Sequence, residues 1–97
     1  MEKYDYMVVL YDYYGELFTD LQRKYFEDYY FNNYTLAEIA LNYDISRNAV
    51  HKAIHNVEEK LEFYESKLGL VEKGKKFNLL INELKDDDLK NKLKDLF

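Results

Sequence analysis

The 97-residue chain contains no cysteine, no proline and only three glycines. Without cysteine it can form neither disulfides nor thiolate metal sites. All-β proteins use proline and glycine at their many turns, so the scarcity of both predicts an all-α fold. A chain of this length is typical of a single domain with a thin core. Residues 1–97 are therefore predicted to form one helical domain.

Long apolar runs are also absent. No stretch approaches the ~18 residues that a transmembrane helix needs, and the acidic, tyrosine-rich N-terminus does not resemble a signal peptide. These features predict a soluble, cytoplasmic protein without membrane association. Neither a nucleophile–base pair nor a glycine-rich phosphate loop is recognisable, so we expect no enzymatic activity, no catalytic residues and no cofactor.

The chain is acidic overall, with a formal net charge of -5 at pH 7. This charge argues against binding nucleic acid over a broad surface. The distribution is uneven, however, because residues 1–34 carry seven acidic and three basic side chains, whereas residues 45–56 contain no acid. The acid-free segment holds two fixed cations and two histidines: Arg47, Lys52, His51 and His55. Any surface for nucleic acid is therefore predicted to be small and to lie in this segment.

Two capping boxes mark the starts of two predicted helices. Thr19 and Gln22 have the required spacing for the first, and Thr35 and Glu38 have it for the second. The helix after Thr19 is expected to run to about Phe31. Its apolar residues recur at helical spacing and are expected to face the core: Leu21, Tyr25, Phe26 and Tyr29.

A tight connection is predicted near the middle of the chain. Residues 36–42 form a short amphipathic pattern, and Asp44 suits the following turn because aspartate tolerates left-handed backbone. Ile45 is expected to point inward, and Ser46 is expected to cap a long helix over residues 47–68. That helix carries a heptad-like apolar stripe: Val50, Ile54, Val57, Leu61, Tyr64 and Leu68.

Two more helices are predicted after a basic link at residues 73–76. The first has apolar positions at Phe77, Leu80, Ile81 and Leu84. The second begins at the acidic run of residues 86–88, where the helix dipole favours negative charge, and its face is made of Leu89, Leu93 and Leu96. Residues 75–97 are therefore predicted to be a C-terminal helical extension of a core formed by residues 19–61.

Residues 35–61 have the parts of a helix-turn-helix. A short helix and a connection of a few residues precede a second helix with polar residues at its N-terminal end, the end that meets base edges in the major groove. With the apolar stripe facing the core, five outward-facing side chains form the candidate nucleic-acid site: Arg47, Asn48, His51, Lys52 and His55. An ordinary corner between helices with a solvated face is the alternative interpretation.

The same region carries a family resemblance. Its skeleton EIA…IS…AV…L resembles region four of bacterial sigma factors, which implies a fold like a winged helix without the wing. The chain also resembles the YlxM family of small bacterial helix-turn-helix proteins over roughly residues 7–73. The matching segments are LYDYYGELFT at 10–19, LQR at 21–23, EIA at 38–40, ISRNAV at 45–50 and LEFYESKLGL at 61–70. The turn glycine common in such motifs is replaced by Asp44.

The resemblance implies a DNA-binding protein that regulates transcription through the five candidate residues. Genes of that family typically neighbour genes of the signal recognition particle, so the resemblance also implies an accessory role in that pathway. Two alternatives remain. The chain could bind the RNA or the GTPase of the particle instead of DNA, or it could be an adaptor between proteins that keeps only the fold. The acidic balance favours these alternatives, whereas the acid-free start of the long helix favours DNA.

Three further features of the sequence resemble sites for a metal ion or for RNA. His51 and His55 are spaced i, i+4 like zinc-binding pairs, but no third ligand is evident, so no metal site is predicted. The acids at 86–88 are interpreted as a helix start rather than a cation site. The eleven tyrosines could stack on RNA bases, but most fall at core spacings and are predicted to be buried with the hydroxyl at the rim.

The first predicted helix, residues 2–14 with Gly15 at its end, indicates association between copies of the chain. It is apolar or aromatic on most of its faces, which is usual for a helix buried on more than one side. Packing within one chain is expected to leave an apolar face in water: Tyr6, Val9, Leu10 and Tyr13. A homodimer is therefore predicted. The alternative is a monomer in which the tail from Phe77 folds back over this face.

Overall fold

The computed structural model of the chain describes residues 2–96, and within that range it consists of six α-helices and no strand. The helices are α1 (Lys3–Tyr14), α2 (Asp20–Tyr30), α3 (Leu36–Tyr43), α4 (Arg47–Leu68), α5 (Leu70–Asn82) and α6 (Asp87–Lys94), and a short 3-10 turn follows α1. The long helix α4 lies at the centre, because α1, α2 and α3 all pack against it. The predicted all-α fold is confirmed.

Both predicted capping boxes are present. The Thr19 hydroxyl accepts a hydrogen bond from the Gln22 amide at 3.2 Å, and the Gln22 side chain accepts one from the Thr19 amide at 2.9 Å. Thr35 and Glu38 form the same reciprocal pair, with both distances 3.1 Å. These bonds satisfy amides that a helix leaves unpaired at its N-terminus. The starts of α2 and α3 are therefore determined by local sequence.

The hydrophobic core lies between α4 and the three helices packed on it. The first four positions of the predicted stripe are buried: Val50, Ile54, Val57 and Leu61. Facing them are the largest fully buried side chains of the other helices: Met7, Leu10, Tyr14, Phe26 and Ile39. Farther along α4 the stripe leaves the core, since Tyr64 is half-buried and Leu68 is exposed.

Besides Leu68, three positions predicted to face the core lie at the surface. Leu21 and Tyr29 of α2 are exposed, and Tyr30 is buried with Phe26 one turn before it, because this pair faces α4. Ile45 was predicted to point inward and is also exposed. Its amide donates to the Ala40 carbonyl at 3.1 Å and closes the end of α3, which holds Ile45 at the rim.

The eleven tyrosines divide between core and surface. Four are buried (Tyr11, Tyr14, Tyr25 and Tyr30), and four are exposed (Tyr4, Tyr13, Tyr29 and Tyr34). The buried rings keep their hydroxyls at the rim, as Tyr11 donates to Glu27 at 2.5 Å and Tyr30 donates to Glu58. Burial and the bond to Glu27 raise the pKa of Tyr11 to about 12. The prediction that most of the tyrosines are buried was therefore too broad, because only these four are.

The predicted link at residues 73–76 is part of α5, which begins directly after Gly69. Gly69 has a φ of +62°, and its left-handed conformation both ends α4 and starts α5. The link was wrongly placed because a single Gly74 among lysines weakens a helix without ending it. A Cβ at Gly74 would collide with the Tyr13 hydroxyl, so glycine permits α5 to approach α1 closely.

The apolar face of α1 that was predicted to lie in water is largely covered. Leu10 is fully buried, Tyr6 and Val9 are half-buried, and only Tyr13 remains exposed. The helix is covered because α4 packs on one side of it and α5 on another. The exposed apolar area of α1, which was the reason for predicting a homodimer, is therefore smaller than expected. The division into a core at 19–61 and an extension at 75–97 stays a prediction.

Tyr14 and Glu65 fix the turn between α4 and α5. The Tyr14 hydroxyl donates to Glu65 Oε1 at 2.5 Å and accepts from the Leu70 amide at 3.1 Å. The Glu65 carboxylate also accepts from the amides of Val71 and Glu72, at 3.0 and 3.2 Å. A carboxylate inside α4 therefore caps the N-terminus of α5. No local sequence pattern indicates this cap, because Tyr14 lies on a distant helix.

We expect Tyr14→Phe to lower the free energy of unfolding by about 1.5–3 kcal/mol, the range for a hydrogen bond to a charged group. Burial alone raises the pKa of Glu65, but its hydrogen bonds from Tyr14, Val71 and Glu72 outweigh burial and lower it. A carboxyl with a lowered pKa adds stability above its unfolded pKa and loses it as pH falls through the folded pKa. Urea denaturation at neutral pH and at about pH 3 should show a loss that shrinks in acid. Equal losses at the two pH values would contradict the role of the carboxylate.

Candidate nucleic-acid interface

The start of α4 is held in place by its cap and by the turn before it. The Ser46 hydroxyl accepts from the Ala49 amide at 3.0 Å, as predicted. Asp44 adopts the predicted left-handed conformation, with a φ of +54°. Ile39 of α3 and Val50 of α4 are both fully buried and lock the two helices together. A short helix, a tight turn and a long second helix form the arrangement of a helix-turn-helix.

All five residues of the candidate site lie exposed on the N-terminal half of α4: Arg47, Asn48, His51, Lys52 and His55. They are exposed because Val50, Ile54 and Val57 occupy the opposite, buried face of the helix. Within residues 2–96, neither Arg47 nor Lys52 forms an ion pair with a carboxylate. The structure therefore brings the predicted residues together and leaves two fixed positive charges available to a ligand.

The two histidines of the site have different surroundings. Their rings lie nearly parallel, with centroids 6.3 Å apart. His55 Nε2 lies 2.8 Å from Glu59 Oε1, and its Nδ1 lies 3.6 Å from Glu58 Oε1. Both ring nitrogens of His55 therefore lie beside carboxylates, whereas no such pair forms at His51 in the described chain.

Carboxylates mark the end of the basic surface along α4. After His55 the exposed and half-buried acids Glu58, Glu59, Glu62 and Glu65 follow at helical spacing. Glu58 connects α4 to two other helices. Its carboxylate accepts a hydrogen bond from the Tyr30 hydroxyl of α2 and lies 3.8 Å from Lys3 Nζ of α1. Across the described residues, no group of three or more histidines and carboxylates is placed to hold a metal ion.

Two residues beside the candidate site were missed by sequence reasoning. Lys3 of α1 and Tyr29 of α2 line a shallow depression of about 140 Å³ together with the site residues His51 and His55, the carboxylate Glu58, and the apolar side chains of Leu36 and Ile54. The Lys3 side chain is 70% exposed, but its ammonium is paired with Glu58, so the carboxylate offsets part of the positive charge that Lys3 brings to the predicted surface. No local pattern could have revealed either residue, because both reach α4 only through tertiary packing.

The chain matches, over residues 1–96, the model of a family described as helix-turn-helix proteins, YlxM / p13 like, and designated UPF0122. The chain belongs to this family. A UPF0122 protein of Caldanaerobacter subterraneus subsp. tengcongensis is 49% identical over 81 residues, which cover 84% of this chain and 69% of the relative. A UPF0122 protein of Geobacillus sp. is 46% identical over 86 residues, with 89% and 78% covered. One of Listeria welshimeri is 42% identical over 83 residues, with 86% and 76% covered.

The family match confirms the resemblance inferred from the sequence and extends it. The resemblance inferred from the sequence ended near residue 73, whereas the family model continues to residue 96 and so includes α5 and α6. Membership in a helix-turn-helix family supports a binding protein rather than an enzyme. None of the helices in the described part of the chain is long and apolar enough to cross a membrane.

Proposed function

We propose that the chain is a non-enzymatic, cytoplasmic regulatory protein that binds DNA through the N-terminal half of α4. The observation that carries the proposal is the pair of exposed, unpaired cations, Arg47 and Lys52, at the end of the helix that enters the major groove in a helix-turn-helix. Arginine suits the O6 and N7 acceptors of guanine, and asparagine such as Asn48 suits adenine. Lys52 is placed to contact phosphates, and Lys3 could do so by exchanging Glu58 for a phosphate.

The acidic body limits the expected affinity. Residues 2–68 carry thirteen acidic and seven basic side chains, so most of the surface around the site repels a polyanion. At most three cations at the site can neutralise phosphates: Arg47 and Lys52, which form no ion pair within residues 2–96, and Lys3, which is paired with Glu58 and must leave it to do so. Each neutralised phosphate contributes about 0.9 to the slope of log binding constant against log salt, so we expect a slope no steeper than about -3.

The test is a titration of labelled DNA at two salt concentrations, followed by fluorescence anisotropy, with a duplex selected from a randomised library. We expect Arg47→Ala to weaken binding by about 1–3 kcal/mol and Lys52→Ala to reduce the salt slope by about 1. Lys60→Ala is the matched control, because Lys60 is an exposed lysine farther along α4 and beyond the site. If the parent protein does not bind DNA at low salt, the proposal fails.

A second candidate is an accessory role in the signal recognition particle pathway, through its RNA or its GTPase, or as an adaptor between proteins. The acidic surface of residues 2–68 favours it, since such a surface suits a basic protein partner. Pull-down from native cytoplasm, with nucleic acid and protein both identified, separates the two. DNA recovered by the parent and lost with Arg47→Ala supports the first candidate, and particle components recovered by both proteins support the second.

We also propose that the chain acts as a homodimer. Two-fold symmetric DNA sites are bound by proteins that present two recognition helices about one helical turn apart. One chain supplies a single α4, so a second copy is needed to read both halves of such a site. A closed two-fold dimer is also the commonest form of soluble oligomer.

A further inference from the structure

The C-terminal hairpin, defined here as α5 and α6, leaves much of its surface uncovered. The described chain is elongated, with extents of 55 × 24 × 24 Å and a radius of gyration of 17.0 Å. A compact domain of this length has a radius of gyration of about 12.5 Å. The buried residues of α5 are Val71, Gly74 and Ile81, and α6 has none. Most of the hairpin is therefore open to a partner.

An exposed apolar surface lies on the middle of α5. Leu79 and Leu80 are 67% and 64% exposed. Beside them a groove of about 460 Å³ runs between α5 and α6, and the apolar residues lining it are Phe77, Leu80, Ile81, Leu84 and Leu93. Adjacent large apolar side chains next to a groove are a typical feature of a protein–protein interface.

Charged residues of opposite sign flank the two leucines on the same face of α5. Lys76 lies one turn before the leucines and Glu83 lies one turn after them, and both are exposed. Within residues 2–96 neither side chain forms an ion pair. The surface therefore consists of an apolar centre with a positive end and a negative end.

This face of α5 is complementary to the same face of a second copy when the two helices run antiparallel. If two copies of α5 run antiparallel about an axis between Leu79 and Leu80, Lys76 of one copy faces the partner's Glu83, and Leu79 faces the partner's Leu80. The same pairing occurs twice, as two-fold symmetry requires. Leu79 of each copy is then next to the apolar groove of the other. An unrelated partner would have no reason to require opposite charges equally spaced about the two leucines.

We propose that a second copy of this chain docks antiparallel on the face of α5 formed by Lys76, Leu79, Leu80 and Glu83. The inference deepens the homodimer part of the proposed function. It assigns the interface to α5, whereas the sequence had pointed to α1. Because association is measured without DNA, failure of this interface and failure of DNA binding are distinguishable.

The test exchanges the charges at the two ends. Sedimentation equilibrium of the full chain should give a dimer, and Lys76→Glu or Glu83→Lys alone should each weaken association roughly tenfold or more, since each places like charges opposite one another twice. The double variant Lys76→Glu with Glu83→Lys restores opposite charges at both contacts and should bring the dimer back. Leu79→Asp should give a monomer.

Two variants away from α5 are the controls. Lys60→Glu, at an exposed lysine of α4, should leave association unchanged, and so should Leu41→Asp, at a leucine of α3 that is 83% exposed. Circular dichroism checks that each variant keeps its helices. A parent chain that is monomeric up to its solubility limit would overturn the proposal. So would single charge variants that associate like the parent, or a double variant that fails to recover.

Discussion

Replacing Phe26 with alanine should lower the free energy of unfolding by about 3–5 kcal/mol, the range for deleting a buried aromatic ring. Phe26 is fully buried, and its ring stacks on Tyr11 and on Tyr30 with centroid separations of 4.3 Å in both cases. Deletion of the ring removes its burial and both stacking contacts, and it leaves a cavity between α1 and α2. Domains of this size are stabilised by only about 5–15 kcal/mol, so the variant is expected to be partly unfolded at temperatures at which the parent chain is still folded.

The measurement is urea denaturation of the parent and of the variant, followed by circular dichroism. Phe63→Ala is the matched control, because Phe63 is 55% exposed on α4. The Lys67 ammonium lies 5.7 Å from the centre of the Phe63 ring, so its removal should cost no more than about 1 kcal/mol. A similar loss of unfolding free energy in the two variants would show that the stack of Tyr11, Phe26 and Tyr30 does not dominate the stability of the core.

Helix starts were predictable because their signals are local. Thr19, Thr35, Ser46 and Asp86 all accept hydrogen bonds from amides of the next turn. The first three were predicted as caps, and Asp86 was predicted only as part of an acidic helix start. The start of α5 was missed because its amides are capped by Glu65 and by Tyr14, which lies on α1. Such a cap depends on packing between helices and leaves no pattern in the neighbouring sequence.

The candidate site was predictable to the extent that it lies on one helix. Helical periodicity alone placed Arg47 and Lys52 opposite the buried stripe, and the structure exposes both. Lys3 could not have been found in this way, because it reaches the site only when α1 packs on α4. The carboxylates beside His55 could have been predicted, because Glu58 and Glu59 are three and four residues farther along the same helix. Their spacing indicates contact with His55, and this signal was present in the sequence.

The contrast between α1 and α5 shows why exposed apolar faces are hard to assign from sequence. The face of α1 was the more apolar of the two, yet α4 and α5 cover most of it. On α5 the segment from Lys73 to Lys76 was interpreted as a link, so the leucines that follow were placed on a shorter helix. The exposed pair at Leu79 and Leu80 becomes evident only when the packing of the other helices is known.

Ile54→Ala should cost roughly 2–5 kcal/mol in the free energy of unfolding. Ile54 is 4% exposed and lies on the buried face of α4, directly behind the candidate site. The shorter side chain leaves a cavity where α4 packs against the other helices of the helix-turn-helix core. Thermal denaturation should show a clearly lower melting temperature. Asn56→Ala is the control, because Asn56 is exposed on the same helix and its replacement should leave the melting temperature nearly unchanged.

The same variant separates folding from direct contact in DNA binding. Ile54 is 4% exposed and has no polar group to bind DNA, so its replacement should weaken DNA binding mainly through the fraction of molecules with an ordered helix-turn-helix. We therefore expect DNA affinity to approach that of the parent at temperatures well below the melting transition of the variant. Arg47→Ala, by contrast, should weaken binding at every temperature, because the contact itself is lost. An unchanged melting temperature for Ile54→Ala would show that the buried face of α4 contributes little to stability. A binding defect that persists in the fully folded variant would place Ile54 close to the DNA itself.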